Sequence, residues 1–471
     1  MLVKHSALYF FARGLPGVVN FLAIAIYTRL LSTAHYGRYA LVVAGVDLFN
    51  VVFFQWIRLS LLRFLPAHLE DPHLLKETLL ASFLWLVLGT GILGVTFAFA
   101  WPNTSWRNFI LLAIPLLWAQ AWFEVNLEIV RSNLKPLRYG LMCGLRATFA
   151  LCFGAIMVLL GSGSYGPLAG LLLGAIIAGV IFSWKEWIII KPKISKAMFP
   201  ELLHYGLPLT AAFALSFIVR SSDRFLIALL ISETAAGQYS AVYDLAQQPL
   251  GVLMAVVSLA GYPLVVRALE KDGVTAAEKQ LKRNSCLLFM VALPATLGMI
   301  LLASNITGVV LGEEFRNDAP VLLQWVSVAI IFSGLRSYHF DLAFQLGKYT
   351  LGQMGVVGLA AVVNIALNIW WIPKWGILGA AYATFISYIL ALIASVVIGR
   401  KIFKIVVAWK DLYKVGVSCC FLALFLCVTT DFKGVWPLVI RIFTGLGVYI
   451  TGVAVLNIGG FRTLFVQELK K

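Results

Sequence analysis

Arg220, Asp223 and Arg224 stand at i, i+3 and i+4 inside the apolar stretch 204–231. At helical spacing they share one face. Asp223 balances one guanidinium and leaves the other unbalanced. A guanidinium stays charged when desolvated, and its planar fork of donors suits phosphate and pyrophosphate oxygens. Eleven more ionisable residues interrupt apolar stretches: Arg13, Arg29, Asp47, Arg58, Glu124, Glu128, Arg146, Asp244, Arg336, Asp341 and Arg441. At membrane depth each costs about 2.5–3.5 kcal/mol on insertion scales, so such groups face a protein interior or a wet cavity. Arg13, Arg58, Arg220, Arg224 and Arg336 are the candidates for gripping an anion. Arg29 and Arg441 read as interfacial or structural. Asp47, Glu124, Asp223, Asp244 and Asp341 are the carboxylates that could respond to a proton or sodium gradient.

The elements that must position these groups are membrane spans. The chain has 471 residues, 61% hydrophobic and 12% charged, against about 25% charged in soluble domains. A spanning helix takes roughly 20 apolar residues. Fourteen such segments are expected, at 8–31, 37–62, 79–101, 106–130, 140–161, 166–184, 204–231, 238–266, 284–311, 319–344, 350–372, 376–399, 413–430 and 435–457. The fold class is therefore all-α and polytopic. The first segment reads as a retained helix, because no small-residue cleavage pattern follows a short apolar core.

The net charge of +16 could suggest nucleic acid, but its distribution explains it otherwise. Twenty-three Lys and Arg fall at the termini and in one alternating set of loops, among them Lys4, Lys185, Lys191, Lys193, Lys196, Arg400, Lys401, Arg462, Lys470 and Lys471. The opposite loops hold Arg316, Lys374 and Lys433. The positive-inside rule then puts both termini on the cytoplasmic side of the membrane, and no nucleic-acid partner is expected. The six cysteines show no CxxC or metal spacing and read as small packing residues.

The chain repeats itself. Gly37-Arg38-Tyr39-Ala40 returns as Gly237-Gln238-Tyr239-Ser240, and Gly14-Leu15-Pro16 as Gly206-Leu207-Pro208. Arg138-Tyr139-Gly140-Leu141 returns as Lys348-Tyr349-Thr350-Leu351, and Gly166-Pro167-Leu168-Ala169-Gly170 as Gly376-Ile377-Leu378-Gly379-Ala380. Two parallel six-helix lobes follow, 1–190 and 204–399, with a cytoplasmic linker 191–203 and, at 400–471, two further helices and a tail. Parallel repeats of this kind enclose a midplane site. Pro16 and Pro208 could bend their helices at the inner mouth. Twelve of the fourteen interior charges lie in spans 1, 2, 4, 7, 8 and 10, a set that maps onto itself under the repeat; Arg146 and Arg441 stand apart. Asp47 and Asp244 occupy equivalent depths and form the preferred coupling pair. Trp118, Trp122 and Trp325 lie deep enough to stack on a sugar, although core packing is the commoner use of such rings.

An enzyme acting on glycans needs a substantial outward loop with catalytic side chains. Here no outward loop exceeds seven residues, and none carries an aspartate pair or a His/acid cluster. A membrane polymerase or ligase is therefore disfavoured.

The segments Tyr27-Thr28-Arg29-Leu30-Leu31-Ser32 with Tyr36-Gly37-Arg38-Tyr39, and Ser222-Asp223-Arg224-Phe225-Leu226 with Ala236-Gly237-Gln238-Tyr239-Ser240, carry a resemblance. The chain resembles polysaccharide (O-antigen type) flippases of the multidrug/oligosaccharidyl-lipid/polysaccharide exporter superfamily. The resemblance implies alternating-access transfer of an undecaprenyl-pyrophosphate-linked oligosaccharide to the outer leaflet, for O-antigen, capsule or exopolysaccharide. It implies no cofactor beyond an ion gradient. The partners it implies are the lipid-linked oligosaccharide, membrane lipid and the polysaccharide polymerase machinery. In similar proteins two extra C-terminal helices help form a groove for the lipid tail. A drug/cation antiporter of the same superfamily is the alternative, and the arginines of span seven weigh against it.

Overall fold

The computed structural model describes residues 2–68, 72–133, 135–429 and 434–460, and of residues 2–15 and Thr350 the backbone alone. Lys433, Arg462, Lys470 and Lys471 lie outside the described residues, as do the side chains of Lys4 and Arg13.

Every regular element among the described residues is a helix. In chain order they are α1 (Leu2–Leu30), α2 (Thr33–His68), α3 (His73–Ala100), α4 (Thr104–Ser132), α5 (Pro136–Leu159), α6 (Tyr165–Trp187), α7 (Met198–Leu230), α8 (Glu233–Asp272), α9 (Val274–Leu301) and α10 (Ala319–Leu346). A short helix, Ala303–Val310, follows α9. Thr350–Gly399 is broken at Gly376, whose φ of 58° and ψ of −142° are not helical and suit a residue without Cβ. The break separates α11 (350–375) from α12 (377–399). Trp409–Val428 is α13 and Val435–Val455 is α14. Twelve helices are long and apolar enough to cross a membrane when Leu351–Gly399 is taken as one. With that helix divided and α1 added, all fourteen expected segments are helical.

Helix starts follow local chemistry. The Ser32 hydroxyl accepts from the His35 N–H at 3.3 Å and opens α2. The Asn103 side chain accepts from the Ser105 N–H at 2.9 Å and opens α4. Each satisfies a backbone donor that the first turn leaves over.

The chain forms two compact units, Met1–Gly237 and Gln238–Lys471. In the first, α5 packs on α6 and α1, α4 packs on α2, α3 and α6, and α7 packs on α2. Apolar surface drives little association in lipid, so close backbone approach through small residues does the work. A Cβ on Gly170 of α6 would lie 2.3 Å from the Ala150 carbonyl oxygen of α5, and one on Gly174 would lie 2.7 Å from that of Arg146. Between α2, α3, α4 and α7 the packing is larger, with Phe54, Ile57, Leu61, Leu75, Leu79, Leu116 and Leu202 buried. In the second unit α10 packs on the α11–α12 helix and on α9, and α13 packs on α9 and α14.

Packing divides the chain at Gly237, whereas the sequence repeat divides it near 203. The difference is α7. Gly206 closes on Trp56 and Ser60 of α2, and the Ser60 hydroxyl donates to the Leu202 carbonyl at 2.8 Å. The first helix of the second repeat is thus built into the first unit. Proline is also spread more widely than the Gly-Pro elements suggest. It lies inside α1 and α7, and equally inside α4, α8, α9 and α11.

Candidate functional site: an arginine cluster in the first unit

The site begins with an irregularity in α2. Asn50–Phe54 is a π-helical turn. In a regular α-helix, eight residues leave two side chains about 80° apart in azimuth. A π turn takes up an extra residue, which removes about 100° and brings Asn50 and Arg58 to within about 20° of one line. Both reach the same oxygen of Glu124 on α4. Asn50 Nδ2 donates to Glu124 Oε2 at 2.9 Å, and Arg58 donates to it through Nη1. Arg58 Nη2 donates to Gln55 Oε1. The Arg58 and Glu124 side chains are 15% and 20% exposed, so the pair is largely shielded from water.

Gln120, one turn before Glu124 on α4, extends the network. Its Nε2 donates to Asp47 Oδ1 at 2.6 Å and to Glu124 Oε1 at 3.3 Å. A search for charged residues misses it. Its signal in the sequence is an amide placed i−4 to an interior glutamate.

Asp47 is half-buried. Gln120 holds it, and Arg146 of α5 with Arg220 and Arg224 of α7 acts on its charge from beyond ion-pairing distance. Arg146, which the span pattern sets apart, therefore belongs to the cluster. Its guanidinium carbon stands 4.8 Å from the Phe123 ring centre, and that of Arg220 stands 5.3 Å from the Phe217 ring centre. Such cation–π contacts are worth about 0.5–1 kcal/mol at exposed sites and leave the donors available. Among the described residues neither Arg146 nor Arg220 has a carboxylate at ion-pairing distance. Arg220 is exposed and Arg224 half-buried. Asp223 is buried, and both it and Arg224 hold interactions of their own. Glu128 pairs with Arg131 at 3.4 Å. With Glu128, which also acts on Arg58, and its partner Arg131 included, five guanidiniums (58, 131, 146, 220, 224) stand against four carboxylates (47, 124, 128, 223) on α2, α4, α5 and α7, a surplus of one positive charge among these residues.

The other candidates are placed differently. Arg336 and Asp341 lie in the second unit on a second π turn, Arg336–Phe340. Residues five apart sit about 140° from each other on an α-helix. The π turn aligns them: the Asp341 N–H donates to the Arg336 carbonyl at 2.8 Å, and Arg336 Nη1 donates to Asp341 Oδ2 at 3.0 Å. The Ser395 hydroxyl donates to Asp341 Oδ1 at 2.7 Å. Arg336 is committed to a carboxylate that is 1% exposed. Asp244 of α8 is half-buried and engaged. Arg29 donates to the Ala25 carbonyl of its own helix at 2.6 Å. Arg441 ties α14 to the end of α13, donating to the Leu426 carbonyl at 2.9 Å and to Thr429 Oγ1 at 3.2 Å. Arg13 lies outside the described side chains. The deep tryptophans are used in packing. Trp118 donates to Thr90 Oγ1 at 3.0 Å, Trp122 lies 4.8 Å from Trp187, and Trp325 lies 4.9 Å from Tyr382. No group of His, Cys, Asp and Glu that could hold a metal occurs among the described residues.

The repeated Gly37 and Gly237 motifs meet each other. A Cβ on Gly37 would lie 2.0 Å from the Glu233 carbonyl oxygen, and one on Gly237 would lie 2.0 Å from that of Thr33. The start of α2 and the start of α8 therefore touch backbone to backbone. Arg38 Nε donates to Glu233 Oε2 at 2.6 Å, and Trp106 Nε1 donates to Glu233 Oε1 at 2.9 Å, closing a clasp around this contact.

Comparison with known proteins places this fold. A membrane protein of Methanocaldococcus jannaschii, itself uncharacterized, is 21% identical over 317 residues, 65% of this chain and 61% of its own length. The probable low-salt glycan biosynthesis flippase Agl15 of Haloferax volcanii is 26% identical over 170 residues, 35% of this chain and 34% of its own length. The chain spans less than two thirds of the length of these curated relatives. The lipid II flippase MurJ, in an inward closed conformation, superposes with a TM-score of 0.77 at 17% identity, over 98% of this chain and 100% of its own. An inward-facing multidrug resistance MATE family transporter of the MOP superfamily gives 0.62 at 14% identity, over 83% and 97%. At these identities the likeness is one of fold, and the relatives named by activity are flippases and transporters, not catalysts. A family model for polysaccharide biosynthesis proteins matches residues 26–320, more than half of the sequence, and the chain belongs to that family.

Proposed function

We propose that the chain is a flippase that carries a polyprenyl-pyrophosphate-linked oligosaccharide from the inner to the outer leaflet of a plasma membrane by alternating access. The carrier implied by the resemblance is undecaprenyl, and the product is a surface polysaccharide such as O-antigen, capsule or exopolysaccharide. Both termini are cytoplasmic in this reading, as the loop charges require.

The observation that carries the reading is the arginine cluster around Asp47. Arg146 and Arg220 lie beyond ion-pairing distance of any described carboxylate, and Arg224 acts on the same centre. Arg146 and Arg220, with no described carboxylate at ion-pairing distance, favour an anion arriving from outside. A diphosphate offers several oxygens to several forks at once. The Arg58–Glu124 clasp has a supporting role, since it fixes Gln120 and through it Asp47. The sugar follows the diphosphate through the protein, and the polyprenyl tail stays in lipid. An ion gradient supplies direction if the binding of a proton or sodium ion to Asp47 differs between inward and outward states.

The fold is shared with multidrug transporters, so a drug/cation antiporter remains the second reading. A surplus of guanidinium repels a hydrophobic cation, which weighs against it. The test is a deletion strain. Lipid-linked oligosaccharide should accumulate on the inner leaflet, and Arg220→Ala or Arg224→Ala, expressed at the normal level, should not clear it. Normal polymer output from both variants would refute the reading.

A further inference from the structure

Where α6 ends, its exposed face turns from apolar to basic. Leu173, Ile176, Val180, Trp184 and Ile188 recur at helical spacing and are all exposed, a stripe that on a membrane-spanning helix faces acyl chains. The stripe runs past the helix end. Ile188 and Ile189, in the turn that follows, are 63% and 78% exposed. Exposed lysines flank them: Lys185 on the last turn of α6, then Lys191, Lys193 and Lys196 in the non-helical segment 188–197 that leads to α7. This segment is a strap tied down through its backbone. The Lys193 N–H donates to the Glu77 carbonyl of α3 at 3.3 Å. The Ser195 N–H donates at 3.3 Å to Oγ1 of Thr78, a fully buried residue of α3. Few acids oppose the lysines. Between 185 and 201 there are four lysines and two acids, Glu186 and Glu201. Glu186 is already engaged by Lys76 at 2.9 Å and by Arg138 at 3.7 Å, both outside the strap. That leaves exposed Glu201 of α7 and half-buried Glu77 of α3 against four exposed ammonium groups.

We infer that this strap, with Trp184 and Lys185, is a docking surface for the headgroups of anionic glycerophospholipids. An indole at a span end belongs at the boundary between acyl chains and headgroups. Ile188 and Ile189 continue the apolar stripe to that boundary, where their side chains leave water. The lysines then lie at headgroup level, with stems along the apolar surface and ammonium groups reaching phosphate. A water-soluble acidic partner would match the charge, but it would not meet a stripe continuous with the lipid-facing side of α6. Each lysine beside an anionic membrane surface strengthens the contact by about fivefold. The strap also leads directly into α7. Ser195 Oγ accepts from the Met198 N–H at 3.3 Å, and the Ser195 carbonyl accepts from the Phe199 N–H at 3.0 Å. Headgroups gathered here therefore sit at the root of the helix that carries Arg220 and Arg224.

The test uses the full-length protein in phosphatidylcholine vesicles that carry a small fraction of brominated phosphatidylglycerol or, as reference, brominated phosphatidylcholine. Bromine quenches tryptophan fluorescence, and the difference between wild type and Trp184→Phe isolates the ring beside the strap. Quenching of Trp184 should report phosphatidylglycerol enriched by about tenfold or more over phosphatidylcholine. Changing Lys185, Lys191, Lys193 and Lys196 together to Gln should erase the preference, with little change in the unfolding midpoint because the four side chains are exposed. Changing the same four to Arg should keep it, since the charge remains. Each single Gln variant should lower the ratio by about twofold to fivefold, which gives a reading even if the fourfold variant folds poorly. High salt should weaken the wild-type preference. Equal quenching by the two lipids in the wild type overturns the inference and leaves the strap to a water-soluble acidic partner. Enrichment that survives both the fourfold and the single Gln variants also overturns it, because the anionic lipid is then held elsewhere on the protein.

Discussion

Breaking the Arg58–Glu124 pair from one side should damage the protein more than removing it whole. Glu124→Leu strands a guanidinium that is 15% exposed and leaves Asn50 Nδ2 without its acceptor. Removing one partner of a buried ion pair costs about 3–5 kcal/mol, and an orphaned amide donor adds about 1–3 kcal/mol. Arg58→Met is milder, since Glu124 keeps the Asn50 and Gln120 donors, and about 2–3 kcal/mol is expected. In Arg58→Met with Glu124→Leu no charge is left buried, and the loss should fall to about 1–2 kcal/mol, the Asn50 orphan. The coupling in the double-mutant cycle should therefore exceed about 2 kcal/mol. Denaturant unfolding in detergent, followed by tryptophan fluorescence, measures it. Losses that simply add would mean that the pair is not shielded and that the π turn does not serve it. Transport should separate from stability in this series. The double variant regains stability, but Gln120 loses its Glu124 anchor, so flipping should stay low.

Three further outcomes are expected. Gly37→Ala or Gly237→Ala puts a methyl 2.0 Å from a backbone oxygen and should cost about 1–3 kcal/mol, read as a lower unfolding midpoint, whereas Gly17→Ala, which meets nothing within 4 Å, should cost far less. Arg220→Lys should restore polymer output only in part relative to Arg220→Ala, because a point charge replaces a planar fork, and full rescue would show that charge alone suffices. Asp47→Asn should flatten the dependence of transport on the pH or sodium gradient; an unchanged dependence removes Asp47 from coupling and directs attention to Asp244.

The fold was legible because lipid imposes its own grammar. Apolar length and the glycine before α12 each report a physical constraint that local sequence must meet. The partition into units was less legible. Repeats record ancestry, whereas packing depends on which helices meet, and the fit of Gly206 against Trp56 and Ser60 is a tertiary fact. The repeated glycines announced themselves as a pattern, but their use became visible only with the carbonyl oxygens of Thr33 and Glu233 facing them.

The candidate residues were legible as charge and their grouping was illegible as geometry, and the two π turns show why. Spacing on a regular helix puts Asn50 about 80° from Arg58, and Arg336 about 140° from Asp341. On that ruler neither pair shares a face. One inserted residue in each helix reverses both conclusions, clamping Glu124 in the first unit and retiring Arg336 into an ion pair in the second. A π turn has no residue signature of the kind that proline or glycine provides for a kink. It persists because the side chains it aligns, Asn50 and Arg58 on Glu124 and Arg336 on Asp341, find partners that a regular helix would deny them. Candidate arginines of equal standing in the sequence thus divide into one group around Asp47 and one arginine already spoken for. The division follows from backbone register, which charge counting does not see.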